Sequence, residues 1–204
     1  MLIASYNPSS LGDVLITVIH EDTAQQRIDK KGNIVRIRAV DTDKILGYNF
    51  FNVSKIIGSL DEKGQVKLNN SQVAGLNAAL TEAGFEDELV IDNEPKFVVG
   101  YVEEISEHPD SDHLHITKTR VDNGDLLQIV CGAPNIEQGQ TVVVAKVGAM
   151  MPSGQIIWPG KLRGVPSEGM ICSARELSLP NAPEKRGILV LSHEKYAVGK
   201  EFVF

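Results

Sequence analysis

Residues 161–179, KLRGVPSEGMICSARELSL, gather the side chains best suited to holding an anion. Lys161, Arg163 and Arg175 are cations, and Ser167 adds a hydroxyl. Such groups donate hydrogen bonds to phosphate oxygens. Lys161 and Arg163 flank Leu162, the period-2 pattern of a strand with one wet face. Gly164 breaks that strand, and residues 165–169 read as a loop closing at Gly169. Residues 170–172 form a short second apolar run. Ser173 and Glu176 then have the S-x-x-E spacing of a capping box, which predicts a short helix after Ser173 that stops before Pro180. The expected unit is strand, Gly-bounded loop, strand and helical turn, with its polar tips on one side. It suits a phosphate-holding surface, and the same residues also suit an ordinary solvated hairpin.

Catalysis has a weaker basis. Cys131, His108 and Asp112 supply the residue types of a Cys-His-Asp hydrolase. However, Cys131 lies in an apolar strand-like run, with no helix N-terminus to lower its pKa. No catalytic residue is assigned and no enzyme activity is expected. Cys131 and Cys172 have no CxxC partner and no metal-ligand spacing, so both read as buried reduced thiols of a reducing cytosol. No metal or cofactor is expected.

The bulk numbers restrict the partner. The 204 residues carry a net charge of −7, which is wrong for a protein that coats nucleic acid nonspecifically. Residues 1–95 hold 9 Lys and Arg against 14 Asp and Glu, and the remainder hold 11 against 13. An anion-binding surface must therefore be a local patch, and the second half is its expected host. The longest apolar run, residues 141–151, is cut by Lys146, and the N-terminal residues lack a signal-peptide pattern. A soluble, cytoplasmic protein without membrane contact is expected.

The elements that would position these groups divide into two sets. In residues 1–90, apolar runs at 2–4, 13–19, 34–40 and 47–53 read as strands. Arg36 and Arg38 share one face of the third, best explained as a solvated strand face. Asn69 or Asn70 caps a helix whose apolar residues Val73, Leu76, Leu80 and Ala83 recur at three and four, with Gly84 at its C′ position. This set is expected to form a small α+β domain of unknown role. The acidic stretch at residues 86–96 marks the boundary.

Residues 91–204 read as closely spaced strands. These cover 97–105, 114–121, 126–131, 140–147, 156–158 and 187–191, with turns at 107–112, at Asn123 and Gly124, and at 132–135. Trp158 reads as a half-buried plug. Many short strands with Gly and Pro turns predict a small closed or part-closed all-β barrel.

Five blocks in order carry a resemblance: V-x-G-x-V at 98–102, H-P-x-x-D-x-L at 108–114, Q-I-V-C-G-A-P-N at 128–135, V-A-x-V-G-A at 144–149 and K-x-R-G-V-x-S-x-G-M-x-C-S at 161–173. They resemble the tRNA-binding domain built on an OB-fold, as in the phenylalanyl-tRNA synthetase β subunit. The two-part layout is similar to that of the YtpR-type tRNA-binding proteins of Gram-positive bacteria. This chain has Ser111 and His113 where that family more often has Ala and Lys.

The resemblance implies a non-catalytic module that holds tRNA on one barrel face and the adjoining loops. It implies that Lys118, Lys146, Lys161, Arg163 and Arg175 meet phosphates. Asn135 and Ser167 would donate hydrogen bonds, and Met170 would lie against a base or pack in the core. The expected partner is tRNA, with a homodimer possible and no small-molecule substrate. The competing reading is a protein-interaction or chaperone-like module reusing the barrel, which the acidic first half suits.

Overall fold

The computed structural model describes residues 1–61, 63–86 and 89–204. Asp87 and Glu88, within the acidic stretch expected at the boundary, lie outside the described residues. The chain divides into two compact units, Met1–Asn93 and Glu94–Phe204.

The first unit is one antiparallel sheet with a helix on it. Its strands are β1 (Ile3–Tyr6), β2 (Val14–Val18), β3 (Gln26–Lys31), β4 (Ile34–Ala39), β5 (Ile45–Phe51) and β6 (Gly64–Val66), in the order β3-β4-β5-β2-β1-β6. Single-turn helices α1 (Pro8–Leu11) and α2 (Ser54–Ile57) lie in connections, and α3 (Asn70–Glu82) has 13 residues. Asn69 caps α3 through a reciprocal pair: its Oδ1 accepts the Gln72 N–H at 2.9 Å, and Gln72 Oε1 accepts the Asn69 N–H at 3.0 Å. The apolar stripe of α3 buries Val73, Leu76 and Leu80 against Leu15, Tyr48 and Phe50 of the sheet.

The expected α+β domain is therefore corrected to a mainly β unit: among the described residues only α3 exceeds one turn. The sequence reading missed β3 because QRIDKK is almost wholly exposed and carries no apolar alternation. It is an edge strand, held by its ladder to β4 and by charge. Asp29 on β3 accepts from Arg36 at 3.1 Å and from Arg38 at 2.8 Å on β4. Burial pushes the Asp29 carboxyl up, but the hydrogen bonds and positive charge of the two arginines bring it below its ordinary value.

The second unit is a nearly closed barrel. Strands β7 (Phe97–His108), β8 (Ser111–Arg120), β9 (Leu126–Cys131), β10 (Thr141–Lys146) and β13 (Gly169–Ile171) lie in the order β13-β10-β7-β8-β9, and β14 (Val190–Leu191) pairs with β10. The remaining strands, β11 (Gly160–Leu162) and β12 (Val165–Ser167), form a separate hairpin.

Side chains and one backbone bond close the seam between β9 and the β12–β13 segment. The Glu168 N–H donates to the Gln128 carbonyl at 2.8 Å. The Glu168 carboxylate accepts the Gln128 N–H at 3.2 Å, and Ser167 Oγ accepts the Val130 N–H at 3.1 Å. Val98, Val102, Ile129, Val142, Val144 and Ile171 fill the interior. The other face of β7 and β10 buries Val99, Val143 and Ala145 under Met151, Ile157, Leu177 and Phe202. Burial on both faces explains why β10 reads as an unbroken apolar run.

Three local expectations are corrected. Residues 165–167 are strand β12 rather than loop, because the chain reverses earlier, at Arg163 and Gly164. The capping box at Ser173 forms, with the Ser173 N–H on Glu176 Oε2 at 2.7 Å and the Glu176 N–H on Ser173 Oγ at 3.2 Å, but only a turn follows it. Residues 156–158 contribute one bridge, Met150 to Ile156, rather than a strand. Among the described residues no helix is long and apolar enough to cross a membrane.

Gly100 marks a tight point of the barrel interior. A Cβ there would sit 2.7 Å from Val144 Cγ2 and 2.9 Å from Thr119 Cγ2. Both neighbours are β-branched and stiff about χ1. Gly100→Ala is expected to lower stability by about 1–3 kcal/mol, read as a reduced urea midpoint.

Candidate nucleic-acid interface

The β11–β12 hairpin turns through two residues, Arg163 (φ 44°) and Gly164 (φ 85°), between the paired Leu162 and Val165. Two successive positive φ values mark a type I′ turn, which suits the twist of a hairpin. Gly164 enters that region freely, whereas Arg163 does so at a cost of about 1–2 kcal/mol. The arginine is thus at a strained tip, and its Nη1 donates to the Asp110 carbonyl at 2.7 Å.

His108 makes the second tie between the hairpin and the β7–β8 turn. Its ring is buried, 4% exposed. The Asp110 N–H can only donate, so Nδ1, at 3.1 Å, must accept. The proton of the neutral ring then sits on Nε2, which donates to the Leu162 carbonyl at 3.0 Å. Pro109 and Asp110 form the turn between them. His108 and the Asp110 backbone are therefore a structural latch between the β7–β8 turn and the hairpin that carries Lys161 and Arg163.

Gln128 extends the site onto the barrel wall. Its side chain accepts from Lys118 Nζ at 3.1 Å and donates to the Pro166 carbonyl at 2.9 Å. Lys118 and Gln128 are cross-strand partners on β8 and β9. Thr117 and Thr119 alternate with Lys118 and are fully buried, so Lys118 is on the outer face. The structure thus brings together Lys118, Gln128, Lys161, Arg163 and the β7–β8 turn. Lys161 is exposed and forms no ion pair or side-chain hydrogen bond among the described residues.

The other expected residues are placed differently. Ser167 is 5% exposed, with its hydroxyl spent on the Val130 N–H and the Gly169 carbonyl at 3.2 Å. Lys146 lies at the end of the barrel away from the β7–β8 turn, and its Nζ contacts Asp122 at 2.7 Å with both side chains largely covered. Asn135 holds the Ile188 backbone, accepting its N–H at 2.8 Å and donating to its carbonyl at 3.1 Å. Arg175 donates to the Glu184 carbonyl at 2.7 Å. Met170, half-buried, packs partly against the cluster of Val99 and Val143. Asn135, Met170 and Arg175 share the lining of one groove of about 610 Å³, together with Lys185 and Arg186.

Sequence reasoning missed Gln128, Glu168, Lys185 and Arg186 as parts of these surfaces. The outward position of Gln128 in β9 was a usable signal. The Glu168 carboxylate serves the barrel seam. Lys185 and Arg186 follow no periodic element that would place them.

Cys131, His108 and Asp112 do not assemble into a hydrolytic set. Both His108 nitrogens are engaged elsewhere, and the Asp112 side chain is 85% exposed beside His113. Burial pushes the Cys131 thiol up, and burial followed by the nearby Glu176 charge pushes Cys172 up to about 12. The thiolate is the nucleophile, so both thiols are expected to react with iodoacetamide far more slowly than free cysteine in native buffer and at the ordinary rate in denaturant. Mass spectrometry of the alkylated protein checks this.

The family described as "Putative tRNA binding domain" matches residues 97–201, and a domain of unknown function, DUF4479, matches residues 21–92. The chain is 48% identical over 202 residues to the "Putative tRNA-binding protein YtpR" of Bacillus subtilis (strain 168), covering 98% of this chain and 99% of that one. It is 46% identical over 132 residues to the phenylalanine–tRNA ligase β subunit of Staphylococcus saprophyticus, and 48% identical over 129 residues to that of Ralstonia nicotianae. These matches cover 61% and 59% of this chain but only 16% of each β subunit. A barrel latched at its β7–β8 turn, the five sequence blocks on its strands and loops, and near full-length identity to the Bacillus protein lead to one conclusion: the chain belongs to the YtpR family of tRNA-binding-domain proteins.

Proposed function

We propose that this protein binds tRNA in the cytoplasm without catalysing a reaction on it, and that its second unit is an OB barrel. The order β7-β8-β9-β13-β10 around the wall, with β9 and β13 meeting at the seam, is the strand succession expected of that fold. OB barrels hold nucleic acid on the face of their second and third strands and on the loops after the first and fourth. Here those are β8, β9, the β7–β8 turn and the β11–β12 hairpin. The names of the relatives support tRNA as the nucleic acid.

One observation carries the reading: His108 and the Asp110 carbonyl hold the hairpin so that Lys161 and Arg163 stand beside the β7–β8 turn. Lys161 and the remaining donors of Arg163 meet phosphates, with Lys118 behind them. Folded tRNA presents backbone shape and unstacked loop bases, which suit a few fixed cations on a local patch. A net charge of −7 then works in favour of selectivity, because the rest of the molecule repels RNA.

Filter binding to a tRNA transcript is expected to weaken linearly in log affinity against log salt, by roughly 0.7–0.9 per phosphate neutralised. The Lys161→Ala/Arg163→Ala double variant is expected to lose at least about tenfold in affinity at moderate salt and to show a shallower slope. Unchanged affinity and slope in that variant would remove the hairpin from the site. Capture of a protein partner by a chain that ignores tRNA at every salt concentration would replace the reading with the protein-interaction one.

Arg163→Asn separates strain from binding. Asn tolerates positive φ better than Arg, so the variant is expected to keep the wild-type melting temperature or exceed it while binding tRNA more weakly. His108→Ala leaves the Asp110 N–H and the Leu162 carbonyl without their partner and is expected to cost about 1–3 kcal/mol. Its distinguishing readout is faster amide exchange in residues 160–167 together with a reduced salt slope.

A further inference from the structure

The groove of about 610 Å³ lies where β9 leaves the barrel. Residues 130–135 line one side, residues 170–176 another, and residues 183–190 a third. The side of β9 at Cys131 pairs with His115, near the start of β8, so the groove opens at the same end of the barrel as the β7–β8 turn. Val130 links it to the hairpin, since its N–H is held by Ser167.

Its walls are set in advance by side chains bonded to backbone. Asn135 grips both polar groups of Ile188, Arg175 holds the Glu184 carbonyl, and the Ser173–Glu176 box fixes the opposite turn. Such bonds lower the ordering cost of binding. The floor is apolar, with Pro134, Met170, Ile171 and Ile188.

The rim is cationic on an acidic protein. Lys185 and Arg186 line the groove, are exposed, and form no ion pair or side-chain hydrogen bond among the described residues. The acidic lining residue is Glu176, and its carboxylate is already taken by the Ser173 N–H and hydroxyl, both at 2.7 Å. An apolar floor beneath free cations matches a flat base attached to a phosphate. The volume is that of a small-ligand cleft. RNA offers such a group where a loop or end leaves a base unstacked.

We propose that this groove seats one unpaired nucleotide of the bound RNA, its base against Met170 and Pro134 and its flanking phosphates on Lys185 and Arg186. This rests on the tRNA-binding reading above and extends the contact from the β8–β9 face around the end of β9.

The test uses the full chain and a tRNA transcript carrying 4-thiouridine. Wild-type protein is expected to crosslink at an unpaired position to peptides containing residues 130–135 or 170–176. The Lys185→Ala/Arg186→Ala variant, altered at exposed positions alone, is expected to bind roughly tenfold more weakly and to lose that crosslink while keeping crosslinks to the hairpin. Wild-type crosslinks confined to the hairpin and the β8–β9 face, with affinity unchanged in the variant, would overturn the groove proposal and leave the tRNA reading standing. Absence of any tRNA binding by wild-type protein would overturn both. Calorimetry with the four nucleoside monophosphates distinguishes the source of the nucleotide. Tight binding of a free monophosphate that tRNA does not displace would make this a free-nucleotide site and overturn the proposal.

Discussion

The open edge of β9 is the constraint on which the second unit depends. A curled antiparallel sheet leaves its last strand with unpaired backbone groups, and these must be paired or covered. Here a regular ladder does not do it. The carboxylate of Glu168, the hydroxyl of Ser167 and the amide of Gln128 complete what the backbone leaves unfinished. The chain must therefore return to β9 immediately before β13, and the β11–β12 hairpin is brought with it.

That return explains the placement of the candidate site. Once residues 166–168 are pinned to β9, the hairpin tip reaches the β7–β8 turn, where the His108 ring and the Asp110 carbonyl receive it. Two loops far apart in sequence become one surface. The same closure makes β9 end against the segments that line the groove. Packing and the positions of the hairpin cations are thus linked through one seam rather than contributed by independent motifs.

Charge is handled locally throughout. On the first unit, Arg36 and Arg38 are consumed by Asp29, and on the second, Lys146 is consumed by Asp122. A cation that already touches a carboxylate has little left to offer a phosphate. Lys161, Lys185 and Arg186 form no ion pair among the described residues, and they stand at the hairpin and the groove.

The sequence by itself determined the elements with strong local signals. The α3 stripe, a cap at Asn69 or Asn70, the β10 apolar run and the Asn123–Gly124 turn were readable because each depends on neighbours a few residues away. The five blocks carried the family for the same reason: their order is a property of the chain. Tertiary structure decided the rest. β3 is a strand because β4 pairs with it, not because QRIDKK prefers to be one. Ser167 and Asn135 had the chemistry of ligand donors, but partners 37 and 53 residues away claimed their polar atoms. Spacing reports which groups a chain owns, whereas a hydrogen bond between distant segments decides which of them stay available, and that choice is made only when the barrel closes.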